Sequence, residues 1–357
     1  MTENLPFDIH VICKVLGLAY GKFYRWIKDH ISSFQKVETQ LTLHFNDIEV
    51  DKGSYSETIL VPILKQEHIG EHMAIDEKHI NNRFHTIFSN AQTGKVALMC
   101  STIKINEVKE CLEKFGDKIN EVKYVSRDLA STFKKISTDV FPNAIQIADK
   151  FHVVKNGIEY IQSLRNRLKQ EVLKQQREAQ VTHEKHYKES KNKKFIGPKL
   201  KVSKRYKPPV IENGETLPEL LARSRYLCAI HQENWNIYQQ KRSKLLFKYF
   251  PCMEEAYYIL LEFRNWYQAK PSEYEPFLNE KNLGNWSENH EKCTINEMQN
   301  FRNLVSNHEE EILNYHKHGN KTNAIAESIN AKIADANRKN RGARDVNFFN
   351  YRLGLII

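Results

Sequence analysis

Two aspartates stand where predicted β-strands end, and both are candidates for chemistry on a metal ion. Asp76 follows the apolar run HMAI, and Asp128 closes the strand-like segment EVKYVSRD. If these strands are neighbours in one sheet, the two carboxylates approach each other, which raises their pKa. A divalent cation removes the repulsion, and oxygen ligands with a phosphate substrate select Mg²⁺ or Mn²⁺. Two such ions about 3.5–4 Å apart can activate a water or hydroxyl and stabilise a leaving oxygen.

Glu77 competes with Asp76 for the first position of this cluster. Neighbouring residues on a strand point to opposite faces of the sheet, so only one of the two can join. The apolar alternation from Met73 to Ile75 runs directly into Asp76, which favours Asp76. Taken alone, the Asp76–Glu77 pair fits an ordinary turn at a strand end better than a catalytic site.

A third acid is predicted near the C-terminus, on the helix that begins the segment 322–353. The apolar stripe of this helix consists of Ile325, Ile329, Ile333 and Ala336. Glu327 lies about 200° from Ile325 around the helix. Its small, polar face can meet a metal site and DNA, and also holds Asn323, Ala324, Asn330, Ala331 and Ala334. The alternative is a surface glutamate on an amphipathic helix, which periodicity alone does not exclude.

The segment AIQIADKFHVVKN, residues 144–156, changes from a buried strand to a helix at Asp149, and His152 follows on that helix. Three interpretations compete for this pair: a catalytic acid, a pair of metal ligands, or an ordinary helix cap. In the last, Asp149 caps a helix that starts near Phe151, and His152 is packed.

The elements around these acids follow a recognisable order. Strands are predicted at 72–80, 83–90, 95–102, 121–128 and 144–149, and helices at 106–116, at 129–138 and from residue 152 onward. Three strands in hairpins and then alternating helices and strands are the order of an RNase H-like α/β domain with a mixed sheet. Asp76 and Asp128 would then end neighbouring central strands. Doubly wound nucleotide-binding folds instead begin with alternation and a glycine-rich turn.

From about residue 157 to 315 the chain becomes helical, charged and aromatic, which predicts a large all-helical insertion. The basic stretch KNKKFIGPKLKVSKRYKPP, residues 191–209, is punctuated by glycine and proline. It fits a solvated linker as well as a direct DNA contact. The predicted domains are residues 1–68, a DNA-binding region; 69–156, the first part of the catalytic domain; 157–315, the insertion; and 316–357, the second catalytic part with Glu327.

Residues 12–31 are predicted to form two short helices around a turn at Gly17. Their apolar spacing resembles the core of a helix-turn-helix and comprises Ile12, Leu16, Leu18, Phe23 and Trp26. Lys22, Arg25 and Lys28 would lie on the second helix, which usually enters the major groove. The alternative is a small helical pair packed on the rest of the protein.

Composition supports a polyanionic partner and a reducing compartment. The chain has 357 residues, enough for two or three domains, and a formal net charge of +10. Its six cysteines are scattered without a CxxC motif, which argues against a zinc ribbon or a disulfide framework and fits a cytoplasmic setting. We expect neither a signal region nor a membrane span, because no run of about 18 apolar residues occurs.

Four motifs in order resemble the DDE transposases of bacterial insertion sequences, specifically the ISL-three type. The motifs are IGEHMAIDE, YVSRDLASTF, FPNAIQIADKFHVVKN and TNAIAESINAKI with RGARDVNFF. The resemblance covers residues 69–170 and 320–357 and is specific because the family's long helical interruption separates the third motif from the fourth. It implies an RNase H-like catalytic domain split by an all-helical insertion, with Asp76, Asp128 and Glu327 as catalytic triad and metal ligands.

The resemblance further implies that Asp149 and His152 form an auxiliary pair that braces the site, which can coexist with a helix cap. It implies two Mg²⁺ or Mn²⁺ ions, cleavage at the element ends, strand transfer into target DNA without a covalent protein–DNA intermediate, and a homo-oligomer on DNA in the bacterial nucleoid. The side chains expected to bind double-stranded DNA are Lys22, Arg25, Lys28, Lys201, Lys204, Arg205, Lys332, Arg338 and Arg341.

The chain departs from the family pattern in one respect. Many members carry a cysteine-rich zinc module before the helix-turn-helix, and none stands there in this sequence. Recognition of DNA ends is therefore expected to rest on residues 8–31 and the basic segments. Two alternatives stay open: an RNase H-like nuclease without strand transfer, and a catalytically inactive helix-turn-helix repressor that would be indifferent to loss of the three acids.

Overall fold

The computed structural model describes residues 46–51, 56–61, 63–80, 83–192, 203–268, 275–319 and 324–339, with the separate positions 14, 17, 19–22, 25 and 353. The chain divides into two compact units. The first comprises residues 1–149 and 320–357, and the second is Lys150–Gly319. The domain boundaries drawn from the sequence, after residues 68, 156 and 315, stay predictions.

A mixed β-sheet forms the centre of the first unit. The described strands of this unit are β1 (Asn46–Asp51), β2 (Ser56–Val61), β3 (Ile63–Leu64), β4 (His72–Ile80), β5 (Arg83–Asn90), β6 (Val96–Cys100), β7 (Tyr124–Arg127) and β8 (Ile145–Ala148). Six of them form one sheet in the order β3-β6-β5-β4-β7-β8. The pairs from β3 to β4 are antiparallel, and β4, β7 and β8 run parallel. β1 and β2 form a separate antiparallel pair.

The helices that the structure describes are α1 (Ile105–Glu113), α2 (Ser131–Val140), α3 (Lys150–Asn192), α4 (Leu217–Arg223), α5 (Ile237–Tyr249), α6 (Pro251–Gln268), α7 (Glu275–Asn289), α8 (Asn296–Asn307), α9 (Glu309–Lys317) and α10 (Ala324–Lys339). α1, α2 and α10 belong to the first unit, and α3 to α9 belong to the second. None of these helices is both long and apolar enough to cross a membrane.

The two faces of the sheet bury different helices because side chains alternate along each strand. On one face, Met73, Ile75 and Val125 pack in a cluster with α1 and α2, which contribute Val108, Leu112, Phe133 and Ile136. On the other face, Ile80, Ile87 and Met99 pack in a cluster with α10, which contributes Ile329, Ile333 and Ala336. The α10 face is the one on which the candidate site lies.

The turn between β5 and β6 forms where AQTG predicts a hairpin. The Asn90 side-chain oxygen accepts hydrogen bonds from the backbone N–H groups of Gln92 (2.9 Å) and Thr93 (3.0 Å). Gly94 then adopts φ +73°, a left-handed conformation that glycine enters without a steric penalty. This local chemistry ends one strand and begins the next.

The second unit is built from helices around α3. The N-terminal half of α3 packs against α4, α6 and α8. Gly157 permits the close approach, because a Cβ atom there would lie 2.5 Å from Leu260 Cδ1 of α6 and 3.0 Å from Phe301 Cζ of α8. Around this crossing lies a buried aromatic cluster that includes Phe263, Trp286 and Phe301.

The order of strands and helices predicted from residue 72 to α3 is confirmed. The strands predicted at 72–80 and 83–90 have those bounds, and the other elements of this region differ by a few residues at their ends. α3 begins at Lys150, two residues before the predicted start, because the chain enters the helix directly after Asp149.

Candidate active site

Asp76 and Asp128 each come directly after the last paired residue of two neighbouring parallel strands. β4 and β7 pair up to Ile75, which stands opposite Arg127. The next residue on one strand is Asp76, and the next on the other is Asp128. Because neighbouring strands lie about 4.8 Å apart, the two aspartates occupy adjacent positions at the same edge of the sheet.

The pleat of β4 separates Asp76 from Glu77. Asp76 stands opposite Ile87 of β5, and Ile87 packs in the cluster with α10. Asp76 is therefore on the α10 face and is half-buried, whereas Glu77 is on the opposite face and is exposed. Of the two acids, Asp76 is the one that α10 can reach.

The hydrogen bonds of both aspartates fix their orientation. Asp76 Oδ1 accepts a bond from the Glu77 backbone N–H (2.8 Å), and Asp76 Oδ2 accepts one from the Asn330 side-chain amide of α10. Asp128 Oδ1 accepts a bond from the Ala130 backbone N–H (2.9 Å), which closes the turn into α2. A carboxylate has about four acceptor sites, so each group retains the capacity to ligate a cation.

α10 packs its apolar stripe on the sheet and contacts Asp76 with a polar side chain. Ile329 and Ile333 are buried against the sheet, and Asn330 donates to Asp76 from the adjoining side of the helix. Glu327 lies on the same helix, one turn before Asn330. The Glu327 side chain lies outside the part of the chain that the structure describes.

Asp149 occupies the third strand end of the same edge. β7 and β8 pair up to Arg127 opposite Ala148, and the Asp149 N–H donates to the Arg127 carbonyl (2.8 Å), which extends the ladder by one residue. Asp149 is buried, with an exposed fraction of 5%, and directly precedes α3 at the N-cap position. His152 is half-buried in the first turn of α3, where its ring contacts Phe151 edge-on.

A polar pair between the aspartate strands has no clear signal in the sequence. His72 Nε2 and Ser126 Oγ form a hydrogen bond of 2.6 Å, and both residues are buried. His72 precedes Asp76 by two pleats and Ser126 precedes Asp128 by one, so all four share a sheet face. The bond connects the two strands that carry the aspartates. A histidine in an apolar strand gives no indication of its cross-strand partner.

Among the side chains that the structure describes, no group of three or more His, Cys, Asp or Glu is close enough to hold a metal ion. The side chain of Glu327 is not among these described side chains. The predicted third ligand stays a prediction.

The predicted DNA-binding cations are partly described. Lys22, Arg25, Lys204, Arg205, Lys332 and Arg338 are exposed, and Arg338 donates to Asp335 (2.6 Å). Lys28, Lys201 and Arg341 lie outside the described residues, as does most of the predicted helix-turn-helix. Within that region Lys14, Lys22 and Arg25 are helical, and Gly17 is in a turn with φ +65°.

The sequence profile of the ISL-three (ISL3) type of DDE transposases, described as "Transposase", matches residues 73–353 of the chain. The matched range includes both aspartate strands, the whole second unit and α10. The chain therefore belongs to this transposase family. Comparison with curated proteins and with solved structures gives no significant match.

Proposed function

We propose that the chain is the transposase of a bacterial insertion sequence, with an RNase H-like catalytic domain interrupted by a helical insertion. One observation carries the catalytic assignment: Asp76 and Asp128 are adjacent in register on the face to which Asn330 ties α10. The family membership supports an enzyme that cleaves DNA. The strand order, with an antiparallel hairpin followed by two parallel strands, supports the RNase H-like assignment.

The donor set of the site fits Mg²⁺ or Mn²⁺. Asp76 and Asp128 offer only oxygen atoms, and hard oxygen ligands suit these ions better than zinc or copper. His72, a buried histidine on the same face of the sheet, is already hydrogen-bonded to Ser126. We infer that Asp76, Asp128 and Glu327 would hold two ions, which would activate a water or hydroxyl and stabilise the leaving oxygen.

The protein groups in this proposal have distinct roles. Asp76 and Asp128 hold their carboxylates at a strand edge, where backbone hydrogen bonds fix them. Asn330 orients Asp76 and holds the Glu327 helix at the site. Asp149 and His152 are assigned an auxiliary role at the third strand end. No serine or tyrosine nucleophile is required in this proposal. Water attacks the phosphodiester at the element end and releases a 3′-hydroxyl, which then attacks a target phosphodiester and displaces the 3′ oxygen of the target strand.

DNA is the proposed partner, held by two sets of cations. Lys22, Arg25 and Lys28 of a helix-turn-helix would read the element ends, and the basic segments and the cations of α10 would contact phosphates. Two ends must be cut together, so we propose a homo-oligomer on DNA.

Strand cleavage and transfer on DNA carrying the element's own ends, with Mg²⁺, tests the proposal. Asp128→Asn removes one charged metal ligand, so we expect loss of both reactions with end binding retained. The matched control is Asp117→Asn, an exposed aspartate of the same unit, which should keep wild-type activity.

Equal activity of Asp128→Asn and wild type would remove Asp128 from the triad and favour Asp149 as the second acid. Binding without cleavage by either protein would favour a repressor. Cleavage without joining would favour a nuclease.

A further inference from the structure

One arginine is completely buried beside the aspartates of the sheet edge. Arg127 has an exposed fraction of 0% and is among the largest fully buried side chains in the part of the chain that the structure describes. Transfer of a charged guanidinium out of water is costly, and an apolar side chain of similar volume fills a core without that cost. The residue directly precedes Asp128. Its burial is therefore better explained by what the guanidinium binds than by packing.

Arg127 occupies the centre of a row formed by three strand ends. It stands opposite Ile75 of β4 on one side and opposite Ala148 of β8 on the other. The next residues in the three strands are all acids, namely Asp76, Asp128 and Asp149. Because side chains alternate along a strand, Arg127 points to the opposite face of the sheet from Asp128. The arginine therefore lies behind the row of acids and not among them.

The main chain and the side chain of Arg127 both bind residues of this edge. Its carbonyl accepts a hydrogen bond from the Asp149 N–H (2.8 Å), and its Nη1 donates to the Asp128 carbonyl (2.9 Å). The regular pairing of β4 with β7 ends at Arg127, so the Asp128 carbonyl lies beyond the ladder of that strand pair. The guanidinium thus supplies a hydrogen bond at a position where the ladder has ended.

Asp128 is consequently held at two points. Its carboxylate accepts from the Ala130 N–H (2.9 Å), and its main-chain carbonyl accepts from the guanidinium of Arg127. The N–H donors of a guanidinium lie in one rigid plane, so this bond fixes direction as well as distance. A metal-binding carboxylate must be held to within about 0.5 Å, and loss of a group that orients a ligand typically weakens metal affinity or activity about 10- to 100-fold.

We propose that Arg127 is a positioning residue of the candidate metal site, whose buried guanidinium holds the Asp128 main chain where the Asp128 carboxylate binds a metal ion. This inference rests on the proposed function, because it takes Asp128 as a metal ligand. Arg127 touches neither metal nor DNA in this role, since its side chain is buried on the opposite face of the sheet. The competing explanation is that Arg127 stabilises the fold and nothing more.

Direct binding of Mn²⁺ without DNA tests the proposal, with the electron paramagnetic resonance signal of free Mn²⁺ as the readout. Arg127→Lys keeps the positive charge but loses the planar fork, so the dissociation constant for Mn²⁺ should rise about tenfold. Arg127→Met removes the donor altogether and should raise the dissociation constant at least as much. A purely structural role lowers the number of folded molecules, and hence of binding sites, but leaves the dissociation constant of the folded molecules unchanged.

The matched control is Arg165→Lys in the second unit. Arg165 is also buried, with an exposed fraction of 6%, and its Nη1 also donates to a main-chain carbonyl, that of Leu221 (2.9 Å). This variant should keep the wild-type dissociation constant for Mn²⁺ even where less of the protein folds. An equal loss of affinity in Arg165→Lys would overturn the inference.

Two further results would also overturn it. One is a wild-type dissociation constant in both Arg127 variants with only fewer sites, and the other is failure of both variants to fold, which assigns Arg127 to the fold alone. Asp128→Asn separates this inference from the proposed function. If Asp128→Asn binds Mn²⁺ as tightly as wild type does, Asp128 is not a ligand and the proposed function fails. If Asp128→Asn binds weakly and the Arg127 variants bind normally, only the inference about Arg127 fails.

Discussion

At the residue scale, Asp76 is held by two elements that are far apart in the sequence. Its own strand places it beside Asp128, and Asn330 of α10 donates to its second carboxylate oxygen. A partner that orients a ligating carboxylate usually affects metal affinity as well as geometry. Asn330 is thus the residue through which the position of α10 affects the candidate metal site.

Replacement of Asn330 tests this role without altering a proposed ligand. Asn330→Ala should raise the Mg²⁺ concentration for half-maximal DNA cleavage about tenfold, because Asp76 loses its side-chain donor. The buried stripe Ile329–Ile333 is retained, so the fold should be unchanged. A Mg²⁺ titration of cleavage measures the effect, with Asn337→Ala on the same helix as control. Identical titrations for Asn330→Ala and wild type would contradict a positioning role.

The sequence allowed Asp76 and Asp128 to be predicted as strand-end acids, because strand periodicity is a local property. The Asn330–Asp76 bond could not be predicted in the same way. Asn330 is identifiable on the Glu327 face from helical periodicity, but its partner depends on how α10 docks on the sheet. The His72–Ser126 bond likewise requires the register of two strands, which packing over the whole sheet determines.

At the element scale, α3 has two halves with different environments. The first half packs on α4, α6 and α8 and requires a glycine at position 157, whereas residues 171–190 have no buried side chain. The sequence predicts one long helix here, because both halves have good helix formers. It does not distinguish the packed half from the exposed half, since the neighbours of the first half come from residues much later in the chain.

The helix crossing at Gly157 makes a prediction about stability. Gly157→Ala places a methyl 2.5 Å from buried Leu260, and overpacking costs about 1–3 kcal/mol, more than the roughly 1 kcal/mol gained in helix propensity. We expect a net loss of about 1 kcal/mol in urea unfolding followed by tryptophan fluorescence.

Gly284→Ala on α7 is the matched control for this substitution. A Cβ atom there meets nothing within 4 Å, so the variant should gain about 0.5–1 kcal/mol. In a Leu260→Ala background, Gly157→Ala should lose its penalty, because the methyl then enters the vacated space. Equal effects of the two glycine substitutions would show that packing at Gly157 is not tight.

At the scale of the whole molecule, the two units contain acid-sensitive groups with different titration ranges. Burial, helped by the nearby positive charge of Arg83, lowers the pKa of His85 on β5 to about 4. Hydrogen bonds from Arg242, Arg223 and Asn213 hold the pKa of Glu215 in the second unit at about 2. Both pKa values lie below those of the same groups in the unfolded chain. Each group therefore contributes its full stabilisation only when the pH is above its pKa in the unfolded chain.

These values predict that acid removes the stabilisation from His85 before the stabilisation from Glu215. His85 contributes stability that is lost as the pH falls from about 6.5 towards 4, because only the unfolded chain takes up a proton in this range. The contribution of Glu215 is lost between about 4.5 and 2. At pH 5 the first unit should therefore have lost about 2 kcal/mol through His85, with Glu215 still fully ionised.

Hydrogen exchange measures the stability of each unit through peptides from β5 and from α5. The exchange is followed at a series of urea concentrations, at pH 7 and at pH 5. The β5 peptides should show the loss at pH 5, and His85→Gln should abolish most of it because the glutamine does not titrate. His186→Gln, which removes an exposed histidine of α3, should leave the loss unchanged. Equal acid sensitivity of β5 in His85→Gln and wild type would assign the effect to other groups. If His85→Gln keeps β5 protected from exchange at pH 5 and His186→Gln does not, protonation of the buried His85 accounts for the acid sensitivity of β5.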